Sequence, residues 1–282
     1  MKVTGFAEVN GTRLYYETEG SGHPLVLAHG FTLDTSMWDD QIDAFSRHYE
    51  VIRYDMRGHG RSAPPGRHRY DHIADLIGLL GHLGVQQAHL IGLSWGAAIV
   101  TEFALAYPSM ASALVAADPV LWGFPWSAEY GASLNRIWEV GRSKGVEAAR
   151  TLWLAHPMFA PALEQPPVAE RLSRIVGDYP GWSWQHDDPA SYPEPPAAQR
   201  LEEIAAPTLA LVGEYDVSDF HTIAGTMSQR IPGASNVVLP GVGHMSNMED
   251  PEGFNKVVLG FLSRSGTAGE APPQPPSTRP LG

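Results

Sequence analysis

Short runs that are apolar at nearly every position alternate along this chain with longer stretches whose apolar residues recur at three- and four-residue steps. "HPLVLAHG" holds such a run at Leu25–Ala28 and "YEVIRYD" another at Val51–Tyr54; "AHLIGL", "ALVAAD" (Ala113–Asp118) and "PTLALVGEYD" (Thr208–Val212) supply three more. A strand without a polar face is buried on both sides, which suits a parallel sheet with helices packed above and below it. Between these runs, Ile73, Leu76, Ile77, Leu80 and Leu83 keep a helical period, with Asp71 placed as N-cap and Gly84 just past the end. The pattern predicts further helices from about Trp95 to Ala106, over Ser218–Arg230 and over Pro251–Leu262, with a last strand in "SNVVLPGVGH". At the front, "FAEVNG" and "TRLYYETEG" form a hairpin through Asn10-Gly11, a strong turn dipeptide. The recurring order of strand and helix makes the class α/β, with right-handed crossovers.

After Pro119 the texture changes. Residues 122 to 184 carry six of the eight tryptophans, the stretch from Pro157 to Pro196 is dense in proline, and helical fragments appear without a buried strand. Three parts follow: a core at 1–119 and 203–264, an inserted helical cap at 120–202, and a tail at 265–282. The tail, with five prolines and no apolar cluster, is expected to be disordered.

Composition narrows the function classes. Thirty-one acidic against 19 basic side chains give a formal charge of −12 without a basic cluster, which argues against a nucleic-acid partner. Cysteine is absent, so disulfides, thiolate catalysis and thiolate metal sites drop out together. No apolar stretch reaches membrane-spanning length and the first residues lack the apolar region of a signal peptide; a cytoplasmic, membrane-free protein, monomer or homodimer, is expected.

The candidate chemistry lies in "LIGLSWGAAIV", where Gly92-Leu93-Ser94-Trp95-Gly96 fits G-x-S-x-G. With 29 glycines in the chain the pattern alone is weak, but it falls where a buried strand must turn abruptly into a helix. Such a turn needs neighbours without bulk and pushes the central side chain out at the carboxyl edge of the sheet, where ligands bind in open α/β folds. A serine hydroxyl needs a base, and an imidazole needs a third group to fix its tautomer. His244 is best placed, just past an apolar strand in a Gly-rich loop, while His23, His48, His68, His82, His89, His156, His186 and His221 read as structural or surface residues. Asp216, after the preceding strand, is favoured as the carboxylate over Asp118 in "LVAADP". Attack by Ser94 would create an oxyanion, for which the backbone N–H of Trp95 and that of Phe31, after the Gly30 turn, are the expected donors. "HDD" at 186–188 reads as solvated loop rather than a metal site, and neither a metal nor a cofactor is expected.

"HGF", "YDMRGHGRS", "GLSWG", "GEYD" and "GVGH", in this order and spacing, resemble the α/β-hydrolase superfamily and its cap-bearing branch of serine esterases, enol-lactonase-like lactonases and C–C hydrolases. The match covers roughly residues 6–118 and 203–263. The resemblance implies a mostly parallel eight-stranded sheet flanked by helices, with Ser94 as nucleophile, Asp216 as acid, His244 as base, and the Phe31 and Trp95 N–H groups as oxyanion hole. It implies for His29 and the Asp55–Ser62 segment a role in loop architecture. Trp95 departs from the smaller or flexible residue common after the nucleophile, and its bulk narrows the acyl pocket. Epoxide hydrolases and haloalkane dehalogenases of this superfamily use an aspartate where this chain has Ser94.

The expected activity is hydrolysis of a small carboxylic ester or lactone. C–C bond hydrolysis or perhydrolase and acyl-transfer chemistry on the same triad is the alternative within enzymes, and a non-catalytic small-molecule binding protein the alternative outside them. A cap over a reactive serine forms the usual wall of its pocket, so two or three of Trp122, Phe124, Trp126, Trp153 and Trp182 are expected to line it and to favour an apolar or aromatic substrate group.

Overall fold

A computed structural model describes residues 2–266. Strands β1 (Val3–Val9) and β2 (Thr12–Gly20) form the opening antiparallel hairpin. Asn10 and Gly11 hold φ of 48° and 68°, as a two-residue turn matched to strand twist requires. Next come β3 (His23–Ala28), a 3-10 turn at Thr35–Trp38, α1 (Asp39–Phe45) and β4 (Tyr49–Tyr54). They are followed by α2 (His72–His82), β5 (Ala88–Leu93), α3 (Trp95–Ala106) and β6 (Ala111–Ala117). The Asp71 carboxylate accepts from the N–H of Ile73 at 2.8 Å and starts α2, satisfying one of the donors a helix leaves open.

Between β6 and β7 (Thr208–Gly213) the chain makes five helices: α4 (Ala128–Lys144), α5 (Val146–Leu154), α6 (Ala160–Leu163), α7 (Pro166–Asp178) and α8 (Trp182–Gln185). It closes with α9 (Ser218–Arg230), β8 (Ser235–Leu239), α10 (Ser246–Glu249) and α11 (Pro251–Gly266). The insertion is tied back at its start, where Asp219 of α9 accepts from the Ser127 N–H at 2.7 Å and from its hydroxyl at 2.8 Å. At its exit, the buried Glu102 of α3 accepts from the Ala197 N–H at 2.7 Å.

The eight strands lie in the order β1-β2-β4-β3-β5-β6-β7-β8. The hairpin strands pair antiparallel, with β2 against β4, and every later neighbour is parallel. All residues of β5 and β7 are buried, which is why their sequence shows no polar alternation. Strand β8 stands at the edge with exposed Ser235 and Asn236 and stops at Leu239; Pro240 offers no N–H to extend it, so the strand is shorter than "SNVVLPGVGH". Asp118 has φ of 43°, outside the β region, and ends β6 one residue earlier than its apolar pattern predicts. Helix α11 runs through Gly266, two residues into the expected tail, whose remainder, 267–282, lies outside the described residues. No helix among the described residues is long and apolar enough to cross a membrane.

Candidate active site

Strand β5 delivers the chain to Ser94, which holds φ 55° and ψ −115° immediately before α3. A non-glycine residue seldom adopts positive φ, and its neighbours make room for it. A Cβ on Gly92 would lie 2.3 Å from the Gly96 carbonyl, and one on Gly96 would lie 2.1 Å from the Ala28 carbonyl oxygen. Both distances are impossible for real atoms, so the two glycines let β5, the turn and β3 approach. Ser94 is left half-buried at the carboxyl edge of the sheet.

The loop after β8 carries His244 to the same edge. Its Nδ1 lies 2.7 Å from Asp216 Oδ2, with both side chains buried. Asp216 Oδ1 accepts from the Val217 N–H at 2.8 Å. Glu249 clamps the histidine loop from both sides, accepting from the N–H groups of Gly243 at 2.6 Å and Met245 at 3.0 Å. Ser94 and His244 both line one small cavity of about 10 Å³, together with Phe31, Trp153 and Phe159.

Asp118, the competing carboxylate, sits beside this pair but is bonded elsewhere. Its Oδ1 accepts from the Gly213 N–H at 2.8 Å and its Oδ2 from the Ser246 hydroxyl at 2.5 Å. The nearest ligating atoms of Asp118, Asp216 and His244 fall within 4.8 Å of one another, close enough to suggest a metal. Yet all four carboxylate oxygens already accept hydrogen bonds, which suits a proton-bearing pair better than an ion. Burial, then the charge of Asp216, pushes the Asp118 carboxyl well above the usual carboxylate range. Burial pulls His244 down, but the Asp216 charge and hydrogen bond, with Asp118 behind, outweigh it and hold the imidazole above the ordinary histidine value.

The turn after β3 supplies the facing wall. His29 is fully buried and neutral-favouring, because burial lowers its pKa. Its ring links Gly30 and Met56: Nδ1 donates to the Gly30 carbonyl at 2.8 Å while Nε2 accepts from the Met56 N–H at 2.9 Å. Asp55 accepts from the N–H groups of Thr35 and Arg61, each at 2.8 Å, so the "YDMRGHGRS" segment braces this turn. A Cβ on Gly30 would stand 3.6 Å from Ser94 Cβ, which brings the turn against the serine. Among the described residues neither the Phe31 N–H nor the Trp95 N–H, the first of α3, has an acceptor within the protein.

Over Ser94 lies a cavity of about 260 Å³. Three of the expected aromatics line it, Trp122, Trp126 and Trp153, beside Phe31 and Trp95. Trp153 also donates through Nε1 to Thr32 Oγ1 at 2.8 Å, pinning α5 to the turn that carries Phe31. The other two of the five lie outside the lining: Trp182 stacks on His186 at 4.9 Å and Phe124 packs on Trp126 at 5.8 Å. The three residues of "HDD" are exposed, as a solvated loop requires; Asp187 pairs with Arg142 at 2.5 Å, and Asp188 also lines the rim of the cavity. The sequence reading also missed Tyr130, Trp138 and Tyr192, which complete the aromatic wall. Trp138 stacks on Phe31 with centroids 5.5 Å apart; its place in a helix amid tryptophans is the signal that pointed there.

Comparison with known proteins identifies the family and the fold. Residues 23–251 match the family model described as alpha/beta hydrolase fold. The chain is 29% identical over 259 residues to 3-oxoadipate enol-lactonase 2 of Acinetobacter baylyi, covering 89% of this chain and 93% of the relative. It is 27% identical to epoxide hydrolase 3 of Mus musculus, covering 90% of this chain and 74% of that protein. Among solved structures, a thermophilic esterase from Thermogutta terrifontis superposes with a TM-score of 0.79 at 27% identity, covering 93% of this chain and 99% of the esterase.

Proposed function

The chain belongs to the α/β-hydrolase fold family, and from that premise we propose that it is a serine hydrolase cleaving a small carboxylic ester or lactone through an acyl-enzyme on Ser94. One observation carries the reading. Ser94, held at positive φ between two glycines that cannot carry a Cβ, shares a cavity with His244, whose Nδ1 is bonded to Asp216.

In this mechanism the Asp216 carboxylate accepts a hydrogen bond from Nδ1–H of His244, which fixes the tautomer and leaves Nε2 as the basic nitrogen. Ser94 Oγ attacks the substrate carbonyl carbon as Nε2 takes its proton. The carbonyl oxygen becomes an oxyanion, stabilised by the free N–H groups of Phe31 and Trp95. Collapse breaks the bond to the leaving alcohol, which takes the proton back from Nε2. Water then attacks the acyl-serine, again giving its proton to His244, and the acid leaves while Ser94 recovers its hydrogen. In a lactone the alcohol and acid remain one molecule.

The nucleophile separates ester chemistry from epoxide opening. A serine that opened an epoxide would be left as an ether, which water does not cleave under these conditions; acylation leaves an ester, which it does. The helical insertion, residues 120–202, acts in this reading as a cap on a core formed by 1–119 and 203–264. The aromatic lining and the volume of about 260 Å³ suit a compact substrate smaller than a drug-sized ligand. The test is Ser94→Ala: hydrolysis of p-nitrophenyl acetate is expected to vanish while circular dichroism is unchanged, and retained turnover in pure protein overturns the proposal.

A further inference from the structure

The chemistry of the cavity over Ser94 is one-sided. Its walls are largely aromatic, it holds one carboxylate, Asp188, and no Lys, Arg or His stands among its lining residues. Asp188 follows α8 and is held from behind. Its Oδ2 accepts from the Tyr70 hydroxyl at 3.2 Å and its Oδ1 from the Ala190 N–H at 3.1 Å. Among the described residues it makes no ion pair. The guanidinium of Arg57 lies over the Tyr70 ring, 4.5 Å from its centroid, but is engaged by Asp75, with contacts of 2.9 and 2.7 Å. Asp188 therefore brings a charge that its immediate partners solvate without neutralising.

Three rings that line the cavity with this carboxylate form a corner. Tyr192 meets Trp122 at 4.9 Å and 82° and Trp95 at 6.1 Å and 90°, while Trp95 meets Trp122 at 5.4 Å and 65°. Nearly perpendicular rings turn π faces in more than one direction. Each face carries the negative end of the ring quadrupole, so the corner and the carboxylate present the same sign of potential. An anion placed there would be repelled by both, and a neutral alkyl group would cover the carboxylate without offering it a countercharge. An organic ammonium answers both needs, because its charge meets Asp188 while its weakly hydrated alkyl groups lie on the rings. Asp188 itself stands exposed at the cavity rim; partial burial raises its pKa against the opposing hydrogen bonds of Tyr70 and Ala190 and the charge of Arg57.

We propose that this cavity selects a substrate bearing a positively charged nitrogen, with Asp188 and the rings of Trp95, Trp122 and Tyr192 as its subsite. The subsite deepens the ester-hydrolase reading, on which it rests for the bond that is cut, but its binding preference can be measured without turnover. Carboxylate-bearing esters and lactones are accordingly poor substrates.

The probes are choline and its uncharged carbon isostere 3,3-dimethylbutan-1-ol, titrated against the wild type and Ser94→Ala with tryptophan fluorescence and calorimetry. Choline is expected to bind at least about tenfold tighter than the isostere in both proteins, a margin typical of a desolvated cation on aromatic rings and a carboxylate. In Asp188→Asn, whose amide can still accept from the Ala190 N–H, that ratio is expected to fall below about twofold. Acetylcholine and 3,3-dimethylbutyl acetate then repeat the comparison as substrates, with the same ratio expected in kcat/KM. Equal or weaker binding of choline by the wild type overturns the proposal, whatever the variant does. A tenfold preference that survives in Asp188→Asn overturns the assignment to Asp188. Cation preference without turnover of any ester leaves the subsite standing and refutes the hydrolase reading; ester turnover without cation preference does the reverse.

Discussion

His244 Nδ1 lies 2.7 Å from Asp216 Oδ2, while Asp118, buried beside both, spends its two oxygens on the Gly213 N–H and the Ser246 hydroxyl. The two carboxyls close adjacent strands yet hold different things: Asp216 holds the imidazole, Asp118 the loops around it. Asp216→Asn is therefore expected to lower kcat by about 10⁴-fold, since the wrong tautomer of His244 results. Asp118→Asn, which keeps both hydrogen bonds available, is expected to cost less than about tenfold. Steady-state kinetics of the two variants check this, and the reverse ranking transfers the acid role to Asp118.

The raised pKa of His244 sets the pH dependence. As a general base the imidazole must be neutral, and Asp216 holds it above the ordinary 6.5. Activity is expected to rise with pH, with an inflection in kcat/KM above 6.5, because that parameter reports the free enzyme. An inflection clearly below 6.5 would mean that burial outweighs the Asp216 charge.

Gly92 and Gly96 are expected to tolerate no side chain. Alanine at position 96 would put its Cβ 2.1 Å from the Ala28 carbonyl oxygen, and at position 92 2.3 Å from the Gly96 carbonyl. Both contacts are with backbone, which can yield only by separating β3, β5 and α3. A loss of about 3 kcal/mol, the upper end of ordinary overpacking, is expected for each in urea unfolding; a loss under about 1 kcal/mol would show that the turn relaxes cheaply.

Glu102 predicts a stability change remote from the chemistry. Burial, only partly opposed by the hydrogen bond from Ala197, raises its pKa from 4.5 to about 7. Its folded form thus prefers to stay protonated, so its contribution is complete below pH 4.5 and is lost as pH rises through about 7. The linkage is about 3 kcal/mol, reduced by solvent screening to about 2 kcal/mol. Glu102→Gln, which mimics the protonated acid, is expected to lose roughly 4–8 °C less of its Tm than the wild type between pH 4.5 and 8. Parallel melting curves with the same pH dependence would contradict this.

How much of this was legible beforehand follows from what each feature depends on. Ser94 and Asp216 sit where a buried apolar run ends in a turn, and His244 in the Gly-rich loop after the edge strand β8; local pattern marks such places well. The Asn10-Gly11 hairpin and α2 announced themselves by turn chemistry and period. Helix α1 did not: seven residues after a 3-10 turn, with Ile42 and Phe45 as its only large apolar members, leave too short a period to read. Asp188 and Tyr192 were hidden for another reason. They lie on a proline-rich loop without periodicity, and only packing of that loop against Trp95 and Trp122 turns them towards the serine. The chemistry of bond cleavage was thus written in local motifs, whereas the choice of substrate arises from tertiary contacts.

Covalent capture of the nucleophile bears on all of this at once. Treated with a fluorophosphonate probe and analysed by intact mass and peptide mapping, the wild type is expected to gain a single adduct, on Ser94, with parallel loss of esterase activity, and Ser94→Ala to gain none. An unlabelled wild type, or an adduct on another residue while Ser94 remains free, would contradict the assignment of Ser94 as the group that forms the acyl-enzyme.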